Sequence, residues 1–140
     1  VDAVRATRAA GRQVVAVGSN AVLSANGYLN GAINLSQSTN QLVVGIYDSA
    51  GQLVKQMDMG PQSKGTIPFA WDGIKDNGDN AQSGLYQIKA MANLGGTPQA
   101  MDTYVAASVD SVMLDPTSQQ IMLNTSNGEA IKMSDVKQIM

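Results

Sequence analysis

The sequence has no cysteine and no histidine in its 140 residues. Zinc sites, cysteine nucleophiles and imidazole bases are excluded at once, because each needs a side chain that is missing. The lack of disulfides fits a cytosolic chain, or an exported one that does without them. Aromatic residues are scarce: one Trp, one Phe and four Tyr. Charge is thin as well, at 14% of residues, and a net value of −2 argues against nucleic acid or an anionic membrane as the main partner. No apolar run approaches the roughly 20 residues of a membrane span.

What remains is 44% hydrophobic. With so few charges the surface must be built from amides, hydroxyls and glycine, a composition common in exported assembly proteins. The length suits one medium domain or two small ones with modest cores. The sequence opens on "VDAVRATRAAGR" without a Met and reads as a fragment of a longer protein, so any targeting segment is out of view. Residues 1–12 read as the end of a helical or flexible segment. They carry Arg5, Arg8 and Arg12, the only arginines, spaced to share one helix face. That face is either the solvated end of a longer helix or a docking segment for another chain.

Beyond this tail the pattern is β. "RQVVAVG" is a short apolar run closed by Gly18. In "QLVVGIYDSAGQLVKQM", Leu42, Val44 and Ile46 alternate toward one face and Asp48 to Gly51 supply a turn. "TIPFAW" sets Ile67, Phe69 and Trp71 on one face. "LYQIKAMA" sets Tyr86, Ile88, Ala90 and Ala92 inward, with Gln87 and Lys89 outside. Asn127-Gly128 marks a two-residue hairpin turn, since both positions favour positive φ. The closing "SDVKQI" reads as one helical turn with Ser134 as its N-cap. Punctuation gives about ten short strands, hence an all-β chain. Two joints rich in Gly, Asn and small residues, "GSNAVLSANGYLNG" and "NLGGTPQA", bracket roughly seventy residues that suit a small sandwich. The flanks are too short to fold alone, so they are expected to pair with each other, with few contacts crossing the joints and relative movement at modest cost.

The stretch "FAWDGIKDNGDNAQSGLYQIKAMA", residues 69–92, raises the question of chemistry. An EF-hand calcium loop needs oxygen ligands at positions 1, 3 and 5, Gly at 6 and Glu at 12. Counting from Asp72 places Ile74, Asn77 and Ser83 at positions 3, 6 and 12, so the loop does not fit. A looser calcium site from Asp72, Asp76 and Asp79 stays open. Paired carboxylates can hydrolyse glycosides, but such clefts are usually lined with aromatics, and Glu129, the only Glu, sits beside a hairpin turn. No nucleophile, base and orienter come together, so no catalytic residue, metal or cofactor is assigned, and no binding residue is singled out. The stretch reads as a structural turn: Trp71 for the core, Asp72-Gly73 and Asn77-Gly78 for side-chain-to-backbone bonds and positive φ.

The pattern W-D-G-x-x-D-x-G followed by G-x-Y resembles the hallmark of flagellar hook-capping proteins, the FlgD family. "VGIYDSAGQLVKQMDMG" resembles the family's strand-turn-strand, "VDSVML" and "LNTSNGEAIKMSDVKQI" its closing segment, and "AAGRQVVAVG" its opening strand. The resemblance implies an Ig or fibronectin type III-like sandwich, residues 28–99, inserted into a small Tudor-like barrel formed by residues 13–27 and 100–140. It implies a homo-oligomeric, pentameric cap, exported by the flagellar apparatus to the tip of the growing hook, with hook protein as partner and no catalysis. An aromatic cage for methylated lysine is not implied, because Tyr104 and Tyr28 are too few aromatics to build one. The alternative reading is an Ig-like adhesive or surface module of another extracellular protein.

Overall fold

The computed structural model describes residues 8–25, 27–126 and 130–139. Eleven strands lie among them: β1 (Gln13–Val17), β2 (Asn20–Leu23), β3 (Leu29–Leu35), β4 (Leu42–Tyr47), β5 (Leu53–Asp58), β6 (Gly65–Trp71), β7 (Gly84–Leu94), β8 (Thr97–Leu114), β9 (Ile121–Thr125), β10 (Ala130–Lys132) and β11 (Val136–Ile139). Helix in the described residues is limited to Arg8–Ala9 and a 3-10 turn, Met133–Asp135. The chain is all-β, and its ladders join into one open antiparallel network.

Where the sequence alternates, the structure follows. Leu42, Val44 and Ile46 of β4, Phe69 and Trp71 of β6, and Tyr86, Ile88, Ala90 and Ala92 of β7 are all buried. They join Ala21 and Leu23 of β2, Leu29, Ile33 and Leu35 of β3, Val54 of β5 and Val105 of β8 in one apolar cluster. This larger core lies between two layers, β2-β7-β4-β5 and β6-β3-β8. Inside it, Gly31 faces the Phe69 ring. A Cβ on Gly31 would come within 2.6 Å of that ring and 2.9 Å of the Tyr104 carbonyl oxygen. Gly31→Ala is therefore expected to destabilise by about 1–3 kcal/mol through overpacking, read as a lower urea midpoint. An unchanged midpoint would show that β3 and β6 part without cost.

A second, smaller core contains Ala9, Val14, Ala16, Ala107, Val109, Leu123, Ile131, Met133 and Val136. It is framed by strands in the order β11-β1-β8-β9-β10. The opening apolar run thus pairs with C-terminal strands on both of its edges. Only pairing of this kind covers Val14 and Ala16, which a five-residue strand cannot bury by itself.

Three sequence expectations are corrected. Ser134 is not an N-cap: it lies inside the 3-10 turn, whose N-cap is Lys132 with no side-chain capping bond, and Val136–Ile139 is a strand. The first joint is not a linker, because β2 within it pairs with β7 and sends Ala21 and Leu23 into the larger core. The second joint is a tight hairpin turn at Gly95-Gly96, both with positive φ, and it leads directly into the 18-residue β8. That strand changes partner as it runs, pairing with β7 at 97–101, β3 at 102–105, β1 at 104–108 and β9 at 109–114. Val105 is paired on both edges, to Gly31 and to Ala16. The Asn127-Gly128 turn lies outside the described residues, between β9 and β10, which pair antiparallel.

Candidate functional site

The acidic loop between β6 and β7 is held by its own polar side chains. Asp72 Oδ1 accepts from the Ile74 N–H at 3.0 Å, and Asn77 Oδ1 accepts from the Asp79 N–H at 2.9 Å. Gly73 (φ 82°) and Gly78 (φ 92°) take the left-handed conformation that such turns require. The Trp71 indole N–H donates to the Ile74 carbonyl at 2.9 Å, and the Trp71 and Tyr86 rings meet edge to face at 5.2 Å. Both aromatics thus pin the loop to the core from beneath.

Asp76 has a different role. Its N–H donates to the Val54 carbonyl at 3.0 Å, its Oδ2 accepts from the Gln56 N–H at 2.9 Å, and its Oδ1 lies 3.3 Å from Lys55 Nζ. Val54, Lys55 and Gln56 belong to β5, whose only ladder among the described residues is the one to β4. The loop therefore occupies part of the free edge of β5. An open edge is a template for unwanted strand pairing, and a covering loop with a charge suppresses it.

The three carboxylates considered for calcium are not gathered. Asp72 serves a turn and Asp76 a strand edge, and no group of three or more His, Cys, Asp or Glu positioned for a metal occurs among the described residues. Melting temperatures in excess Ca²⁺ and in chelator are expected to coincide. A reproducible rise of several degrees with Ca²⁺ would restore the metal-loop reading.

Tyr86 is the titratable group of interest here. Its hydroxyl donates to the Gln82 carbonyl at 2.6 Å. Burial raises its pKa above the ordinary phenol value, and the nearby Asp48 carboxylate adds to the rise. The folded state thus holds this proton more tightly than the unfolded chain. The contribution to stability is full below a pH of about 10 and is lost as pH climbs through the folded value. Phenolate absorbance of the native protein should show Tyr86 ionising late. Tyr86→Phe should lose about 1 kcal/mol at neutral pH, by leaving the Gln82 carbonyl unpaired, and lose less further stability than the parent at alkaline pH. Equal alkaline losses in both proteins would exclude this role.

The other sequence candidates scatter. Arg8 and Arg12 are exposed, while Arg5 and Glu129 lie outside the described residues. Tyr104 is buried on β8 with Lys137 Nζ 5.2 Å from its ring centre, whereas Tyr28 is 62% exposed before β3. Among the described residues no helix is long and apolar enough to cross a membrane. Sequence reasoning passed over several exposed apolar side chains on the outside of the β2-β7-β4-β5 layer: Val22, Leu53, Leu85 and Met91. Their outward positions followed from the same alternation that placed Tyr86 and Ile88 inside.

Comparison with known proteins covers both cores. A family model described as the FlgD Ig-like domain matches residues 19–96. The basal-body rod modification protein FlgD of Escherichia coli is 28% identical over 93 residues, 66% of this chain and 40% of that protein. The crystal structure of FlgD from P. aeruginosa superposes with a TM-score of 0.85 at 30% identity, covering 94% of this chain and 98% of that one. FlgD from Xanthomonas campestris, whose structure is described in terms of hook capping, gives 0.75 at 26% identity, with 99% of each chain covered. The chain spans about half the length of the curated relatives it matches.

Proposed function

The chain belongs to the FlgD family, and from that premise we propose that it is a scaffold of flagellar hook assembly. It caps the distal end of the growing hook and guides exported hook subunits into place. The observation that carries this reading is the extent of the likeness to P. aeruginosa FlgD, 94% of this chain at 30% identity. A resemblance confined to the W-D-G turn would suit an unrelated Ig-like surface module equally well. A match that also takes in the smaller core does not.

The architecture we assign is an Ig or fibronectin type III-like sandwich, residues 28–99, carried on a Tudor-like barrel built from residues 13–27 and 100–140. Within this assignment, the burial of Ala21 and Leu23 in the larger core and a family match that begins at residue 19 support counting β2 with the sandwich rather than with the barrel. The family is one of structural hook-assembly proteins and not a known enzyme family. The chain works, in this reading, by shape and reversible contact without chemistry, as a pentameric ring of identical copies exported to the hook tip. Hook protein is its partner. Eight methionines among 140 residues suit such adaptable packing.

Complementation tests the proposal. The full-length gene, expressed in a strain lacking its own hook-cap gene, is expected to restore hooks visible by electron microscopy. Export of the protein without hook formation would overturn the reading.

A further inference from the structure

The acidic loop folds as a small hairpin of its own. Ile74 and Asn80 form a bridge, and the Lys75 N–H donates to the Asp79 carbonyl at 2.8 Å. At the tip the Gly78 N–H donates back to the Lys75 carbonyl at 2.9 Å, which closes a turn through Asp76 and Asn77. This tip is the part that reaches the β5 edge, because Asp76 makes the bonds to Val54 and Gln56 and the ion pair with Lys55. Asn77 and Gly78 themselves are exposed.

An asparagine followed by glycine carries a latent reaction, since glycine has no side chain to obstruct its own nitrogen. The Gly78 nitrogen attacks Asn77 Cγ and bonds to it. The Cγ–Nδ2 bond breaks, and ammonia leaves with the proton shed by the Gly78 nitrogen. Water then opens the resulting cyclic imide. Attack at Cγ gives an ordinary aspartate. Attack at the main-chain carbonyl gives isoaspartate, in which the chain runs through the former side chain and is longer by one methylene.

Two Asn-Gly pairs lie wholly among the described residues, and the fold treats them differently. In β3, Gly31 is paired to Phe69 on one side and to Val105 on the other, so its nitrogen cannot swing toward the Asn30 side chain. Asn77-Gly78 is held only by the turn: the Gly78 bond to Lys75, and the Asp79 N–H to Asn77 Oδ1 bond at 2.9 Å. Openings that break so few exposed bonds occur far more often than global unfolding.

We propose that Asn77 is a deamidation site of the folded protein, and that isoaspartate there lifts the tip off β5. An ordinary aspartate keeps an oxygen acceptor for the Asp79 N–H and leaves the turn intact. The added methylene of isoaspartate falls inside the ring that the Gly78-to-Lys75 bond closes, and between the paired Lys75 and Asp79. Asp76 then loses its register with Val54 and Gln56, and the β5 edge is opened to strand pairing. The cover on this edge has a lifetime set by chemistry, without unfolding of either core.

The test holds the full-length protein in mildly alkaline buffer at physiological temperature. Peptide mapping by mass spectrometry, with isoaspartate labelled by isoaspartyl methyltransferase, follows each Asn-Gly pair in time. In the native protein Asn77 is expected to convert while Asn30 stays intact. In guanidinium chloride both should convert, Asn77 roughly tenfold faster than in the fold, because its turn is then open throughout. Aged native protein should exchange the Gln56 amide hydrogen faster than fresh protein does. Asn77→Ser, which cannot form the imide, should show no such rise, and freshly prepared Asn77→Asp should match the fresh parent. Asn77 that survives in the native protein while converting in denaturant would overturn the site. Conversion without faster exchange at Gln56, or an equal rise in Asn77→Ser, would overturn its effect on β5.

Discussion

Replacing Trp71 by alanine is expected to destabilise the protein by about 3–5 kcal/mol, the range for a large aromatic lost from a core. Trp71 is 1% exposed and ends β6 opposite Leu29. Its ring packs edge to face on Tyr86, and its indole N–H satisfies the Ile74 carbonyl. Alanine removes the apolar contact, opens a cavity and leaves a carbonyl without its donor, three losses of the same sign. Total stability of a small domain is only about 5–15 kcal/mol, so most of the margin disappears. Urea unfolding followed by circular dichroism reads the loss directly. Trp71→Phe, which keeps a ring but drops the N–H, should fall between the two. A cost below about 1 kcal/mol for Trp71→Ala would mean that the larger core is not organised around this residue.

Removing residues 120–140 should have a larger effect still, but on one part of the molecule. The cut takes away β9, β10 and β11, and with them Leu123, Ile131, Met133 and Val136 of the smaller core. Val14, Ala16, Ala107 and Val109 then face water, and the single ladder to β8 does not hold a five-residue strand in place. The buried residues of the larger core extend no further along the chain than Val105, so none of them is lost. Backbone NMR of the truncated chain should show native shifts around Trp71 and Tyr86 and none for Val14 to Val17. Native shifts retained at Val14 to Val17 would defeat the two-unit architecture.

The strands that were legible in the sequence are those with one buried face. In β4, β6 and β7 every second residue enters one core, so period-two alternation is intact and the inward set is named correctly. β2 escaped because four residues amid Asn, Ser and Gly carry too short a pattern, although Ala21 and Leu23 do alternate. β8 escaped for a different reason. It serves the larger core at Val105 and the smaller one at Ala107 and Val109, exposes Asp102 before them, Ala106 among them and Asp110 after them, and so carries no single periodic face along its length. In the candidate site, the Asx turns of Asp72 and Asn77 were legible because they are local bonds. The covering of the β5 edge by Asp76 was not, because its hydrogen bond to Gln56 spans twenty residues and two strands. The exposed apolar residues on the outside of the β2-β7-β4-β5 layer lay between these cases. Leu85 and Met91 were visible on the outward phase of β7, but only the pairings of β2, β4 and β5 bring Val22, Tyr47 and Leu53 beside them.

The expectation of glycine-rich linkers between the two cores is the one the fold most clearly reverses. Instead of glycine-rich hinges, the connection is β8 itself, flanked by the Gly18 N–H to Thr103 carbonyl bond at 3.0 Å, the Thr103 hydroxyl to Gly18 carbonyl bond, and the Ile88 N–H to Ser19 carbonyl bond at 2.7 Å. In mechanical terms β8 is a spar with a contour of about 55 Å. A flexible linker would take up an axial pull as an entropic spring and pass on little of it. A paired strand already drawn out to full extension has no such slack. Tension applied to one core would reach the other along the covalent backbone, and the ladders that flank β8 would meet it in shear, where many hydrogen bonds resist together. If the chain acts as the cap proposed above, its stepping is then expected to come from contacts made and released at its surface rather than from a hinge between the two cores.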